Sequence, residues 1–460
     1  MSRHAGASPE PPATPAVPSW TARLMSAGTQ VMPAGRFGRN IVVVAGGTAV
    51  AQAVAVAASP ILTRLYTPAD YATLAVFAGV VSTLMAVASL RFDWTLPVPK
   101  AEADAAHLLA LSLLLVAGWT GVLAIATAAA MVWTGVVPGP LVSIAPYLWL
   151  VPLSVAGGGV YQALSAWVIR FGDLRPIART KITQSLAGTA VSLGGGMASA
   201  GPIGLLLGVL TSRASGVRVL GRHAWRAHRH LFQRVRFAGM MQMARRHGRL
   251  AASACGTSLL NTACQDWPAI VLAALYAPTE VGWFALSIRV VGMPLVLVSG
   301  PVGQAFWSEA AVLVHDNPRR LRQQFLRATR SLLGVSALVV LLGVTSPFFL
   351  GHVFGSAQWY GVGLFTRYLT PLYATRILIS PISHLMVHAR QHWQLWWDAA
   401  RLTMSLGGLA AAHALGWTAG AAIVQYSLVN AVFYVGLYWM NLRCINDRIV
   451  AFDAEAEGGR

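Results

Sequence analysis

Twelve runs of about twenty apolar residues follow one another through the sequence, and no other feature restricts its possible folds so strongly. At 1.5 Å rise per residue, about 20 apolar residues cross the ~30 Å hydrocarbon core of a bilayer as a helix. The runs lie near 40–63, 71–90, 106–134, 143–169, 178–199, 202–221, 250–276, 280–304, 331–354, 361–387, 393–415 and 417–440, with only Gly201-Pro202 separating the fifth from the sixth. Of the 460 residues, 56% are hydrophobic and 11% charged, whereas an average soluble domain is about 25% charged. Such a chain lacks the residues to clothe a soluble core. Lipid tolerates an apolar exterior but leaves backbone groups no water to bond, so the spans are helices. The expected class is an all-α integral membrane protein of about twelve transmembrane helices in two six-helix lobes.

Charge placement supports the count. Arg and Lys concentrate in the cytoplasmic segments of membrane proteins. With the N-terminus inside, 30 of the 34 basic residues fall on that side, and the outer loops near 135–142, 200–201, 355–360 and 415–417 carry none. One helix more or fewer would invert every later loop and destroy this pattern. The expected topology is therefore multi-pass, with both termini cytoplasmic. The net charge of +19 reflects this distribution rather than a nucleic-acid site.

The organisation expected is a Pro-rich disordered cytoplasmic tail over 1–38, an N-terminal lobe over 39–222, a basic cytoplasmic linker over 223–249, a C-terminal lobe over 250–441 and a cytoplasmic tail over 442–460. Pro9, Pro11, Pro12, Pro15 and Pro18 among alanines and serines cannot build a core, and no signal-peptide core precedes the first span. The halves share a repeat: Leu65-Tyr66-Thr67-Pro68-Ala69-Asp70 recurs as Leu275-Tyr276-Ala277-Pro278-Thr279-Glu280, offset by 210 residues. Each copy forms the outer corner between the first and second helices of a half, so a pseudo-two-fold along the membrane normal would relate the halves. The basic linker is expected to rest on anionic lipid head groups.

Enzyme chemistry finds little to use. Cys255, Cys264 and Cys444 have no metal or disulfide spacing, and no Ser–His–Asp set, phosphate loop or paired carboxylates stand out. His384, His388 and His392 would share one helix face, but no acid accompanies them before Asp398, and interfacial packing is the expected role. No cofactor or metal is expected, and the chain is read as a non-enzyme.

Four arginines lie apart from the cytoplasmic set. Arg64 ends the first span, Arg289 falls near mid-bilayer in the eighth, and Arg367 and Arg376 lie in the tenth beside Pro371 and Pro381. A charge at that depth costs at least about 2.5–3.5 kcal/mol on insertion scales, so it should face a wet cavity or a partner. Asp266 precedes Ala277 by eleven residues and Arg289 follows it by twelve, so a helical hairpin sets them at similar depth. They could simply neutralise one another. Arg367 and Arg376 would still have no acidic partner, and helix-end snorkelling is a fair account of Arg367. A cavity with surplus guanidinium suits an anion, because guanidinium binds phosphate through forked, charge-assisted hydrogen bonds. A diphosphate on a lipid carrier is one candidate.

The stretch from Pro60 to Tyr71 (PILTRLYTPADY), with Leu90-Arg91-Phe92-Asp93 and Pro97-Val98-Pro99-Lys100, resembles the polysaccharide-transporter family of oligosaccharide flippases, the Wzx-type members of the multidrug/oligosaccharidyl-lipid/polysaccharide exporter superfamily. Val281 to Arg289 (VGWFALSIR), Val302 to Phe306 and Arg376 to Ser383 resemble it too, and the similarity spans most of 40–440. The resemblance implies a V-shaped body of two six-helix lobes that moves an undecaprenyl-diphosphate-linked oligosaccharide across the membrane by alternating access. Polysaccharide polymerase and chain-length regulator are implied partners. Arg289 matches the family's cationic helix-8 position, and Arg64 and Arg91 match positions at the ends of the first two helices. Asp93 stands where a glutamate is usual. The expected site is thus Arg289, Arg376, Arg64 and Arg367 for substrate, Asp266 as charge or coupling partner, and Arg91 with Asp93 for structure or gating. The alternatives are a cation-coupled multidrug exporter and a membrane glycolipid transferase. The first is disfavoured because no acid lies between Asp70 and Asp93 and mid-bilayer on helices 1 to 6.

Overall fold

The computed structural model describes residues 36–132, 139–355, 357–383 and 391–458. Among the described residues there are twelve long α-helices and no strand. They are α1 (Arg36–Leu65), α2 (Pro68–Val87), α3 (Glu102–Val132), α4 (Leu150–Phe171), α5 (Arg175–Met197), α6 (Pro202–Phe232), α7 (Phe237–Leu275), α8 (Pro278–Asp316), α9 (Pro318–Val353), α10 (Gly361–Ile379), α11 (Gln391–Ala414) and α12 (Ala419–Gly458).

Seven of these are each long and apolar enough to cross a membrane, eight if α4 is joined to the short 3₁₀ segment bent 85° from it. The remaining four, α5, α7, α10 and α11, carry Lys181, Gln265 and Asp266, Arg367 and Arg376, and Asp398 and Arg401 respectively. They fail on polarity rather than length, and a helix that lines a wet interior is where such residues are tolerated.

The repeated hexapeptide is a helix-start device. Thr67 caps α2: its hydroxyl accepts from the Asp70 N–H at 3.3 Å, and the Asp70 carboxylate accepts from the Thr67 N–H at 2.8 Å. This capping box satisfies two otherwise orphaned donors. At α8 the cap residue is Ala277, which has no hydroxyl, so only the return bond from the Ala277 N–H to Glu280 survives, at 3.3 Å. Pro68 and Pro278 occupy the first helical turn of each copy, where a missing N–H costs nothing. Between α5 and α6 the chain turns through Ser199 and Gly201, both with positive φ. Gly201 at φ +66° and ψ −155° adopts a conformation open essentially to glycine alone, so the faintest boundary in the sequence is a tight, defined turn.

In the N-terminal lobe α1 packs on α5, α5 on α6, α6 on α4 and α4 on α3. In the C-terminal lobe α9 and α8 pack on α10, α10 on α12, α12 on α11 and α11 on α7. The lobes meet mainly where α2 lies against α7 and α8. On the side of the two corners, hereafter the corner face, a mixed core of Leu62, Tyr66, Tyr71 and Leu205 with Leu286, Phe354, Trp359 and Val362 joins them. The Trp359 indole donates to the Thr63 carbonyl at 2.8 Å, the Thr63 hydroxyl donates to the Phe354 carbonyl at 3.2 Å, and Tyr71 meets Trp359 edge-on at 5.1 Å. The corner face is sealed.

Several connections read as loops or tails are helical. The basic linker consists of the ends of α6 and α7, joined by a turn at 233–236, and α12 runs on to Gly458. Phe171 and Phe232 pack with Trp167 around His228, holding the α6 extension against α4. The α8–α9 break reduces to Asn317, whose side chain accepts from the Arg320 N–H at 3.0 Å as a helix cap. The expected disordered tail up to residue 35 lies outside the described residues.

Candidate functional site

A cavity of about 620 Å³ lies between the lobes, floored on the corner side by the seal residues Leu62 and Leu205. Its N-lobe wall is α1, α5 and α6, with Lys181 and Arg213; its C-lobe wall is α7, α8 and α10, with Arg289 and Arg376. It merges through Lys181, Gln184, Ser212, Arg213 and Gln265 with a second space of about 650 Å³, which reaches Arg91 and Asp266. The joint lining therefore presents five cationic side chains, Arg91, Lys181, Arg213, Arg289 and Arg376, against the single carboxylate of Asp266.

The arrangement follows from helix depth. Arg289 stands eleven residues into α8, so about 16 Å along the helix from the corner. Its side chain is exposed to the cavity and makes no hydrogen bond or ion pair among the described residues. Arg376 is half-buried. It donates to the Gln265 amide oxygen at 2.6 Å and lies 5.9 Å over the Tyr373 ring, while its Nε is buried without a partner. Neither guanidinium is matched by a carboxylate within ion-pair distance among the described residues.

Asp266 lines the adjoining space, and its neighbours are Arg213, Ser82 and Arg376 rather than Arg289. Arg213 in turn donates to Ser82 at 3.3 Å and lies against the Met85 sulfur at 3.0 Å. Because Arg213 belongs to α6 and Asp266 to α7, this pair reaches from one lobe to the other. Asp266 and Arg289 thus do not pair among the described residues, and the carboxylate lies beside Arg213 instead.

Arg64 and Arg367 do not reach the cavity. Arg64 is exposed at the corner face beside Gly355, and Arg367 is exposed on α10, six residues after Gly361. At about 9 Å from the helix start, Arg367 can extend its long stem to the polar boundary, which is snorkelling rather than ligand binding. Of the four arginines expected at a substrate site, the structure brings Arg289 and Arg376 together in the cavity and leaves Arg64 and Arg367 outside it.

Arg91 and Asp93 form a clasp in the turn after α2. They pair at 3.9 Å, and Ser89 donates to the Asp93 carboxylate, which is 1% exposed. Leu90 and Arg91 hold φ of 47° and 61°, a left-handed turn without glycine, and this clasp restrains it. Arg91 also donates to Ser258 of α7, so the turn ties α2 to the C-terminal lobe. Burial disfavours the charged form of Arg91, and Asp93 offsets that.

Three charges grouped with the cytoplasmic set lie inside the lobes: two line the joined spaces and one is buried. Lys181 and Arg213 lie on α5 and α6 six and eleven residues past Arg175 and Pro202, and counting helical depth rather than loop membership would have exposed them. Arg401 is buried in the C-terminal lobe, paired with Asp398 at 3.4 Å and donating to the Tyr434 hydroxyl at 3.1 Å. Of the histidine series, His384 and His388 lie outside the described residues. The three cysteines are free thiols.

No curated protein matches this sequence. Among solved structures the fold is similar to an inward-facing multidrug resistance MATE family transporter of the MOP superfamily, at TM-score 0.58 and 14% identity over 92% of this chain and 98% of the other. It is also similar to a MOP superfamily transporter from Pyrococcus furiosus (TM-score 0.54, 16% identity, 92% and 98% coverage) and to the Vibrio cholerae MATE transporter VcmN in its bent form (0.51, 14%, 94% and 99%). At these identities the likeness establishes the fold: two six-helix lobes of the MOP type, a multi-pass membrane protein. The sequence profile of the polysaccharide biosynthesis proteins matches residues 61–362, which contain both corners, the α1–α2 motif, Lys181, Arg213, Asp266 and Arg289. The chain belongs to the polysaccharide biosynthesis protein family, built on the MOP-superfamily transporter fold.

Proposed function

We propose that the protein is a flippase for lipid-linked oligosaccharides, carrying undecaprenyl-diphosphate-linked repeat units across the bacterial cytoplasmic membrane for surface polysaccharide assembly. The observation that carries this reading is the space between the lobes, where Arg289 has no ion partner among the described residues and the joint lining sets five cationic side chains against the single carboxylate of Asp266. Uncompensated arginine in such a place is costly unless a ligand supplies the negative charge. A diphosphate supplies it with geometry suited to forked binding.

In this reading both termini are cytoplasmic and the sealed corner face is periplasmic, so the cavity receives substrate from the cytoplasmic leaflet. The basic ends of α6 and α7 over 222–249 rest on anionic head groups. Rocking of the lobes about α2, α7 and α8 then parts the seal and presents the diphosphate outward. A polymerase and a chain-length regulator are the partners that would take the unit onward.

The Pyrococcus furiosus relative has been described as having a binding pocket of reverse polarity that suggests a different function. A cationic pocket here likewise suits an anion better than a cationic drug. Purified protein in liposomes carrying labelled glycolipid tests the assignment. Transfer between leaflets without covalent change, abolished by Arg289→Ala in a protein that still inserts, is the expected result. Efflux of cationic dyes with no glycolipid transfer would establish a drug exporter, and formation of a new glycolipid would establish a transferase.

A further inference from the structure

The two joined spaces differ in chemistry. Tyr373, Leu295, Val296 and other apolar groups wall the interlobe cavity around its guanidiniums. Besides Arg91, Asp266 and the shared Lys181 and Arg213, the adjoining space between α2, α4, α5, α6 and α7 presents five neutral polar side chains, Gln162, Ser165, Gln184, Ser212 and Thr262, of which Gln184 and Ser212 also line the interlobe cavity. None of these five side chains makes a hydrogen bond with the protein among the described residues, and the Ser165 hydroxyl is buried without any partner. Gln184 is itself only 9% exposed.

Amides and hydroxyls in a lipid-embedded lobe normally find protein partners, because an unpaired one costs the desolvation of its polar atoms. Of the five, the Ser165 hydroxyl is such a buried unpaired group, and the others line the same space with hydrogen-bonding capacity that the protein leaves unused among the described residues. Each can donate and accept at once. That dual capacity matches the hydroxyls of a neutral polyol, whereas an anion needs donors only and a cation acceptors only. At about 650 Å³ the chamber is of ligand-binding size, within the usual range of about 300–1,000 Å³. Shared lining by Lys181, Gln184, Ser212, Arg213 and Gln265 means one ligand can occupy both spaces, with an anionic part near Arg289 and Arg376 and a hydroxyl-rich part beside α4.

We infer that this chamber is a glycan subsite, with Gln162, Gln184 and Thr262 reading sugar hydroxyls while the interlobe arginines hold the diphosphate. The assignment rests on the flippase reading and makes the N-terminal lobe the seat of sugar selectivity. Within it, Gln162 and Thr262 belong to the chamber alone, and Gln184 stands at the junction of the two spaces.

The test uses the full chain in nanodiscs with two probes, a C55 isoprenyl diphosphate and the same lipid carrying a neutral trisaccharide. The unsubstituted protein should bind the trisaccharide lipid more tightly. Gln162→Leu and Thr262→Val should each weaken that probe by about threefold to tenfold, as expected for one neutral hydrogen bond, while affinity for the sugar-free lipid holds. The sugar-free probe also reports that the variants remain folded. Equal affinity of the unsubstituted protein for both probes, or equal weakening of both in the variants, would overturn the subsite while leaving the flippase reading intact. If neither probe binds the unsubstituted protein, the flippase reading fails and the subsite with it.

Discussion

Gly282 is where the repeat meets itself. It lies in the first turns of α8 and faces the start of α2, so closely that an added Cβ would stand 2.0 Å from the Pro68 carbonyl oxygen, 2.5 Å from its carbon and 2.7 Å from its Cα. All three atoms are backbone, so no rotamer change relieves the contact. An ordinary carbon–oxygen approach requires α2 and α8 to part by about 1 Å or more, and overpacking of this kind costs about 1–3 kcal/mol. The strain exists only while the corners are together, so it falls on the sealed state alone. Differences of that size shift a two-state balance by about 5–150-fold.

Gly282→Val should therefore drive the corner face open. Thr63 is the reporter: it is 0% exposed under Trp359 and Phe354, and Thr63→Cys is nearly isosteric. In a chain whose Cys255, Cys264 and Cys444 are replaced by alanine, a membrane-impermeant maleimide should label Cys at 63 at least fivefold faster with Gly282→Val than with glycine retained. Gly282→Ala should fall between the two. A rate unchanged by Gly282→Val, in protein that still binds isoprenyl diphosphate, would refute the argument that this contact closes the transporter.

Three further outcomes follow from the charges. Arg289→Lys should restore part of the transfer lost in Arg289→Ala, because charge survives and the fork does not; liposome flipping rates read this. Asp266→Asn removes the lone cavity carboxylate beside Arg213 and Arg376, and should tighten isoprenyl diphosphate binding by up to about tenfold, near 1.4 kcal/mol, measured by calorimetry in nanodiscs. Asp398→Asn leaves Arg401, 3% exposed, without its ion partner. Breaking such a buried pair costs about 3–5 kcal/mol, so the melting temperature in detergent should drop sharply with little change in the ligand affinity of the remaining folded protein.

Much of the architecture was legible because lipid simplifies the reading: a span must be apolar, helical and long enough. Even Gly201-Pro202 sufficed to divide α5 from α6. Helices continue past the apolar runs at 222–249, 305–330 and 442–458, where residues such as Leu231, Met243, Leu321 and Ile445 pack into the cores of the lobes, which span lengths do not report. The site was half legible. Arg289 and Arg376 stood out because they interrupt apolar runs far from any loop. Lys181 and Arg213 escaped because each was grouped with the loop arginines beyond its apolar run, although both residues line the cavity. Arg64 and Arg367 lie outside the cavity, since depth along a helix says nothing of which face a side chain takes. The Asp266–Arg213 neighbourhood joins residues 53 positions apart on different lobes, and the packing of both α6 and α7 against α2 creates it.

The central claim is that a positively charged interlobe cavity binds a lipid diphosphate, and calorimetry with C55 isoprenyl diphosphate, monophosphate and alcohol tests it most directly. The account predicts affinity falling in that order, with Arg289→Ala and Arg376→Ala each weakening the diphosphate by about tenfold or more, the loss expected for a charge-assisted hydrogen bond of about 1.5–3 kcal/mol. A protein that binds the alcohol as tightly as the diphosphate, or keeps its diphosphate affinity with both arginines replaced, would contradict it.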